Sequence, residues 1–264
     1  MSQLPFPLDY MHKFNIHKWL GLVVRDDDLA SIARIYGARK GELQRIERRF
    51  QENVRRLADR LKQTVQKPIP STPLTVLALG DSISSDRESF VRILNAYWKG
   101  TPRTVIDCAI SGNTTSGLLD RLYDTAMTQQ FDWIVIFIGT NDNRQLDDKW
   151  HIPVISVDEY RRNIEYFTEL FPSLGKQVIL TTVPPVDNKR FAAFLPHTRR
   201  NYDPARIAES NQVLRDIGAR KNIKVADLAA AIDAQKEDVL TPDGLHLNDT
   251  GHLILSRLLL DILP

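Results

Sequence analysis

The distribution of hydrophobic and polar positions changes texture near residue 70. Before it, apolar side chains recur at helical spacing. Leu29, Ile32, Ala33 and Tyr36 lie three and four residues apart, with Asp26, Asp27 and Asp28 available as caps and Gly37 as a stop, so the spacing predicts a helix over 26–36. Leu43, Ile46, Phe50, Val54, Leu57 and Leu61 continue as one stripe on a second, long helix ending near Gln66, and the pair reads as a generic helical hairpin. Pro68, Pro70 and Pro73 then interrupt any helix and mark a linker. After the linker, apolar runs at 74–79, 104–109, 133–138, 177–183 and 223–226 are continuous rather than alternating, as in strands buried on both faces. Helical spacing returns at 86–98, 115–129, 157–171, 204–221 and 250–263. Strands alternating with helices predict an α/β fold with a parallel sheet of five strands and right-handed crossovers. The chain thus divides into a helical extension with its Pro-rich linker, 1–70, and an α/β region, 71–264.

Composition narrows the class. The chain has 264 residues, 42% hydrophobic and 26% charged, which is ordinary for a globular protein and argues against disorder. No apolar run approaches the length of a membrane span, and the first residues lack the basic start and apolar core of a secretory signal, so a cytoplasmic protein is expected. The single cysteine, Cys108, excludes an internal disulfide, and its apolar setting suggests a buried structural residue. A formal charge of +2 is too small to imply nucleic acid. The charge is uneven, however: Arg45, Arg48, Arg49, Arg55, Arg56, Arg60 and Lys62 face away from the apolar stripe of the long helix. A solvated face is the plain reading, and a grip on an anionic partner or a contact between copies of the chain is the alternative.

Candidate chemistry lies where the apolar runs stop. The first ends in Gly80-Asp81-Ser82. Ligands of α/β proteins bind at the carboxyl ends of strands, where a following helix aims its N-terminal amides, so Ser82 is placed like a nucleophile. The competing reading is a turn in which Asp81 or Ser82 caps the helix. Later strand ends carry Ser111-Gly112-Asn113-Thr114-Thr115 and Gly139-Thr140-Asn141-Asp142, and Asp243-Gly244-Leu245-His246 precedes the last helix. Each block alone is also a good turn. His252, in the first turn of that helix, is expected to be exposed or capping, and His12, His17, His151 and His197 have no acid partner in sequence. No paired histidines or cysteines show metal-ligand spacing, and no Gly-rich phosphate loop is present, so neither a metal nor a cofactor is expected.

Taken in order over about 74–263, these four blocks resemble those of the SGNH hydrolases, also called GDSL esterases and lipases. The resemblance implies a flavodoxin-like three-layer αβα fold and a serine esterase. It makes Ser82 the nucleophile and gives the oxyanion hole to the Ser82 and Gly112 amides and the Asn141 side chain. It makes His246 the base and Asp243 the acid that orients it. The one departure, Ile83 where the family name would put leucine, falls at a packing position. These residue types suit the chemistry independently. A serine hydroxyl needs a base in the transition state, imidazole titrates near ~6.5, and an acid on its other nitrogen holds the ring and stabilises the imidazolium. The oxyanion needs donors fixed in advance, and glycine at 112 lets an amide approach closely.

The expected substrate is a small ester, with a short acyl group, acetyl on a sugar above all, because no long apolar groove or lid is visible. Lysophospholipid or thioester cleavage is the enzymatic alternative, and a binding module built on the basic helix is the non-catalytic one. Loops at the same sheet edge supply candidate substrate contacts: Asp147, Asp148, Lys149, Trp150 and His151, and Phe191, Phe194, Leu195, His197 and Tyr202.

Overall fold

A computed structural model describes residues 6–19, 24–65, 67–146, 149–196 and 198–264. The predicted strands form one parallel sheet: β1 (Leu74–Gly80), β2 (Arg103–Asp107), β3 (Trp133–Phe137), β4 (Gln177–Thr181) and β5 (Lys224–Ala226), in the spatial order β2-β1-β3-β4-β5. Successive β1 side chains point to opposite faces, as the pleat requires. Val76 and Ala78 join Val135, Phe137 and Ile179 in one apolar cluster, whereas Leu77 and Leu79 join Ile134, Ile136 and Leu180 in the other. Helices cover both clusters, which gives the three-layer αβα architecture.

The helices before the sheet are α1 (Leu8–Lys13), α2 (Ile16–Trp19), α3 (Leu29–Ile35) and α4 (Lys40–Thr64). Those that follow are α5 (Ser82–Ser85), α6 (Phe90–Tyr97), α7 (Thr115–Arg121), α8 (Val157–Ser173), α9 (Asn188–Phe194), α10 (Pro204–Lys221), α11 (Leu228–Asp233) and α12 (Asp249–Ile262). Two differences from expectation have local causes. The helix expected over 86–98 starts only at Phe90, because Asp86 takes the amide of Glu88 and Ser89 bonds back to the Ser84 carbonyl, which spends the intervening residues in a turn. The helix expected over 115–129 ends at Arg121 and is followed by a single tight turn, Ala126–Thr128.

The long helix does more than extend the chain. Leu57, Ala58 and Leu61 of α4 are buried in the cluster that holds Val76, Phe90, Leu94, Leu255 and Leu259. Its outer residues, Arg45, Arg48, Arg55 and Arg60, are exposed, and Arg56 and Arg49 pair with Asp249 and Asp9. Met11, Ile32, Ala33, Tyr36 and Leu43 make a small further cluster that ties α1 and α3 to α4. The prolines therefore divide the chain in sequence, while α4 packs as part of an outer layer. Cys108, expected to be buried, is only half-buried, and that burial pushes its thiol up to about 12. It sits just past the end of β2, beside the second cluster rather than inside it.

Candidate active site

Strand register brings the sequence blocks to one edge. Gly80 pairs with Phe137, so Asp81-Ser82 and the turn after β3 leave the sheet at the same level. Pairing to β1 also continues past β2, through Cys108 N to Ala78 O and Ile110 N to Gly80 O, which carries the loop 110–115 alongside Gly80. A side chain at Gly80 would meet the Phe137 carbonyl and Ser84 Oγ, so only glycine allows β1 to lie this close to its neighbours before the turn. Asp81 accepts from the Ile83 amide and caps α5, whose first residue is Ser82. Asp81 is thus the cap of the turn reading, and Ser82 stands in the first turn of α5 at the end of β1.

Ser82 Oγ lies 2.8 Å from His246 Nε2, and His246 Nδ1 lies 2.6 Å from Asp243 Oδ2. Asp243 and His246 are 3% and 4% exposed, while Ser82 stays partly open. Asp243 Oδ1 accepts from Thr241 Oγ1 (2.6 Å), the Leu245 amide (2.9 Å) and the His246 amide (3.1 Å). Burial alone would raise this carboxyl, but its pairing with His246 and these donors hold it well below the usual carboxylate range. An ionised Asp243 cannot donate, so Nδ1 carries the imidazole proton and Nε2 is left to accept the serine proton. Such an arrangement can activate a serine hydroxyl.

The residues expected to bind the oxyanion stand at the same edge. Gly112 has φ +79°, a left-handed conformation that L side chains rarely adopt. Asn141, 6% exposed, donates through Nδ2 to the Asn113 carbonyl at 2.9 Å and so fastens the turn after β3 to the loop carrying Gly112. Its neighbour Asp142 accepts from the Thr115 hydroxyl (2.5 Å) and amide (3.0 Å) and fixes the start of α7 to the same turn. Burial pushes Asp142 up to about 6.

Other expected residues fall elsewhere. Phe191 and Tyr202 are both buried, ring to ring at 5.2 Å, in a cluster with Val183, Ile207 and Leu245. Leu195 packs against that cluster, and Trp150 is 69% exposed. Lys149 lies over the Trp150 ring, His151 Nδ1 is 3.3 Å from Gln145 Oε1, and Asp147, Asp148 and His197 lie outside the described residues. His252 is not exposed: at 1% exposure it lies 3.5 Å from Asp86 Oδ2, where a buried carboxylate gathers it and Lys13. His12 likewise finds an acid, Glu47, at 2.9 Å.

Two side chains at the site were missed. Phe14 stacks on the His246 ring with centroids 3.8 Å apart, and Tyr10 reaches Asp243 Oδ2 with its hydroxyl at 3.3 Å. The available signal was the aromatic spacing Phe6, Tyr10, Phe14, one per helical turn. With Phe50, Phe194 and Pro242, they line a cavity of about 560 Å³ beside Asp243.

Residues 78–254 match the GDSL-like lipase/acylhydrolase family. The chain belongs to this family. The enzyme is a carboxylic ester hydrolase. It is 27% identical over 179 residues to an acetylxylan esterase of Geobacillus stearothermophilus, a match covering 63% of this chain and 75% of the relative. A lipase/acylhydrolase from Enterococcus faecalis superposes with a TM-score of 0.57 at 28% identity, covering 72% of this hydrolase and 94% of that chain. A crystal structure of an acetylxylan esterase from Geobacillus stearothermophilus shares the fold at a TM-score of 0.54 and 22% identity, over 72% of this hydrolase and 94% of that chain.

Among the described residues, no group of His, Cys, Asp and Glu side chains could hold a metal ion, and no helix is long and apolar enough to cross a membrane. Asp81 has a separate consequence. It is wholly buried, and desolvation pushes its carboxyl from 3.8 up to about 7 against the help of the Ile83 amide. Between those values the folded enzyme holds a proton that the unfolded chain releases, so this group's contribution to stability falls as pH rises from about 4 to 7. Asp81→Asn keeps an acceptor for Ile83 and removes the charge. The variant is expected to melt roughly 5 °C or more above wild type at pH 8 and level with it at pH 4, as read by calorimetry.

Proposed function

We propose that the protein is a serine esterase that removes short acyl groups, acetyl in the first place, from a carbohydrate alcohol. The observation that carries the reading is the unbroken contact line from Ser82 Oγ through His246 to Asp243, at 2.8 and 2.6 Å. In this reading His246 Nε2 takes the serine proton as Oγ attacks the ester carbonyl. The Ser82 and Gly112 amides and the Asn141 side chain stabilise the oxyanion, and the imidazolium returns its proton to the departing alcohol. Water activated by the same nitrogen then hydrolyses the acyl-serine. Likeness to an acetylxylan esterase supports the acetylated-sugar preference, and a site that keeps Ser82 partly open suits an ester on a bulky alcohol.

The test is release of p-nitrophenol from acetyl, butyryl, octanoyl and palmitoyl esters, with acetate release from acetylated xylo-oligosaccharides measured alongside, for wild type and Ser82→Ala. Ser82-dependent turnover restricted to the short esters, with acetate released from the sugar, is the expected result. A long-chain optimum would replace the sugar reading with a lysophospholipase or thioesterase. Equal rates in Ser82→Ala would overturn the mechanism.

A further inference from the structure

The family match begins at residue 78, yet a side chain from the first helix reaches the catalytic acid. We infer that Tyr10 is a positioning residue for the Asp243–His246 pair, so that the N-terminal helices complete the active site. The inference rests on the serine-esterase reading proposed above.

The geometry is specific. Asp243 Oδ2 receives the Tyr10 hydroxyl at 3.3 Å as well as His246 Nδ1 at 2.6 Å, while Oδ1 is filled by Thr241 and two backbone amides. The tyrosine hydroxyl is thus the last donor on the oxygen that orients the base. Phe14, one turn further along, lies almost parallel to the imidazole at 23° and closes one of its faces. Rotation of the His246 ring away from Ser82 would have to displace both aromatics. The Tyr10 ring is in turn set between Phe6, Phe14 and Phe194, with centroids 4.7 to 5.1 Å away.

The backbone carrying these rings is fastened to the catalytic turn at several points. Arg87 donates its amide to the Lys13 carbonyl at 2.9 Å and its Nε to the His12 carbonyl at 3.1 Å. Asn15, in the left-handed region at φ +48°, donates Nδ2 to the Ser85 carbonyl at 2.6 Å. Ser111 Oγ donates to the Phe14 carbonyl, and the Tyr36 hydroxyl donates to the Met11 carbonyl at 3.0 Å. The segment is therefore bonded to α5, to the loop before Gly112 and to α3's end, and it holds Tyr10 in advance of substrate. Burial and the Asp243 charge push the Tyr10 hydroxyl up, so it remains a neutral donor through the working range of a histidine base.

The expected sign of its effect follows. A hydroxyl on Oδ2 spreads the charge of Asp243, so removing it leaves a carboxylate that holds the imidazolium more tightly. The acid limb of the rate profile then moves to higher pH. Groups facing the pair are Asp81 beside His246, Asp86 and Glu88 before α6, Lys13 and Asp9 on α1, Arg49 on α4, and Tyr202. None is altered by Tyr10→Phe, which keeps the ring and deletes only the hydroxyl.

The experiment compares wild type and Tyr10→Phe on p-nitrophenyl acetate from pH 5 to 9, with melting temperature and the downfield proton resonance of the His246–Asp243 hydrogen bond recorded for both. The expected result is a fall of about threefold to tenfold in kcat with KM within twofold, an acid limb higher by a few tenths of a pH unit, and a shifted proton resonance. An unchanged acid limb with an unchanged resonance would overturn the inference, as would a loss confined to KM, which would make Tyr10 a substrate contact. A lower melting temperature with kcat and resonance intact would also overturn it, leaving a purely structural ring. Ser82→Ala is run in the same assay. If that variant keeps full activity, the serine reading fails on its own, and the resonance, which requires no turnover, still reports whether Tyr10 sets the pair.

Discussion

Replacing Ser82 with alanine is expected to remove ester hydrolysis, with kcat falling on the order of 10⁴-fold or more while the fold survives. The side chain is partly exposed and its hydroxyl meets His246 Nε2, so its loss empties no core position and leaves an imidazole nitrogen that water can reach. His246→Ala should cost a similar factor, because without the base the serine hydroxyl keeps its proton. If the two side chains act as one device, as proposed, the double variant should be scarcely worse than either single one, because the second part adds nothing once the first is gone. Steady-state kinetics on one short ester, with calorimetry for each variant, checks this. Additive losses in the double variant would mean that the two residues act in separate steps.

Asn141→Ala is expected to lower kcat by on the order of 10² to 10³ with little change in KM, the signature of a donor used in the transition state. Its amide has two N–H bonds. One is already committed to the Asn113 carbonyl at 2.9 Å, which holds the Gly112 loop against the turn after β3. The other is the one assigned to the oxyanion. Removal therefore deletes one donor and loosens the loop that presents another, which places the expected loss toward the upper end of that range. Asn141→Asp keeps the shape but sets a carboxylate where negative charge must develop, so it should be at least as damaging. A variant that lost affinity and kept kcat would show that Asn141 binds the substrate ground state instead.

The sheet was legible because its strands are continuous apolar runs that stop at small or polar residues: the 74–79 run and Gly80 point to the same strand and the same turn that the structure has. The ordered blocks at Ser82, Gly112, Asn141 and His246 named the candidate site, because chemistry at strand ends leaves a local signature. What depended on distant partners was not legible. His252 looks like a helix-start histidine until Asp86, far back in the chain, is brought against it. Phe191 and Tyr202 look like loop aromatics until they close on each other and become core. Tyr10 lies in a helix only six residues long, and although its spacing with Phe6 and Phe14 marks one helical face, its meaning comes from Asp243, 233 residues away. The basic face of α4 is exposed on this chain, while the apolar face turned out to be part of the main core.

The central claim is that a single serine, activated by His246, carries the acyl group. The most direct measurement is covalent labelling of the full chain with an organophosphonate that reports activated serines, followed by peptide mapping by mass spectrometry. The account predicts one adduct, on Ser82, with ester hydrolysis lost in proportion to labelling and no adduct in His246→Ala. An adduct on another residue that tracks the loss of activity, or full hydrolysis by a chain labelled at Ser82, would contradict it.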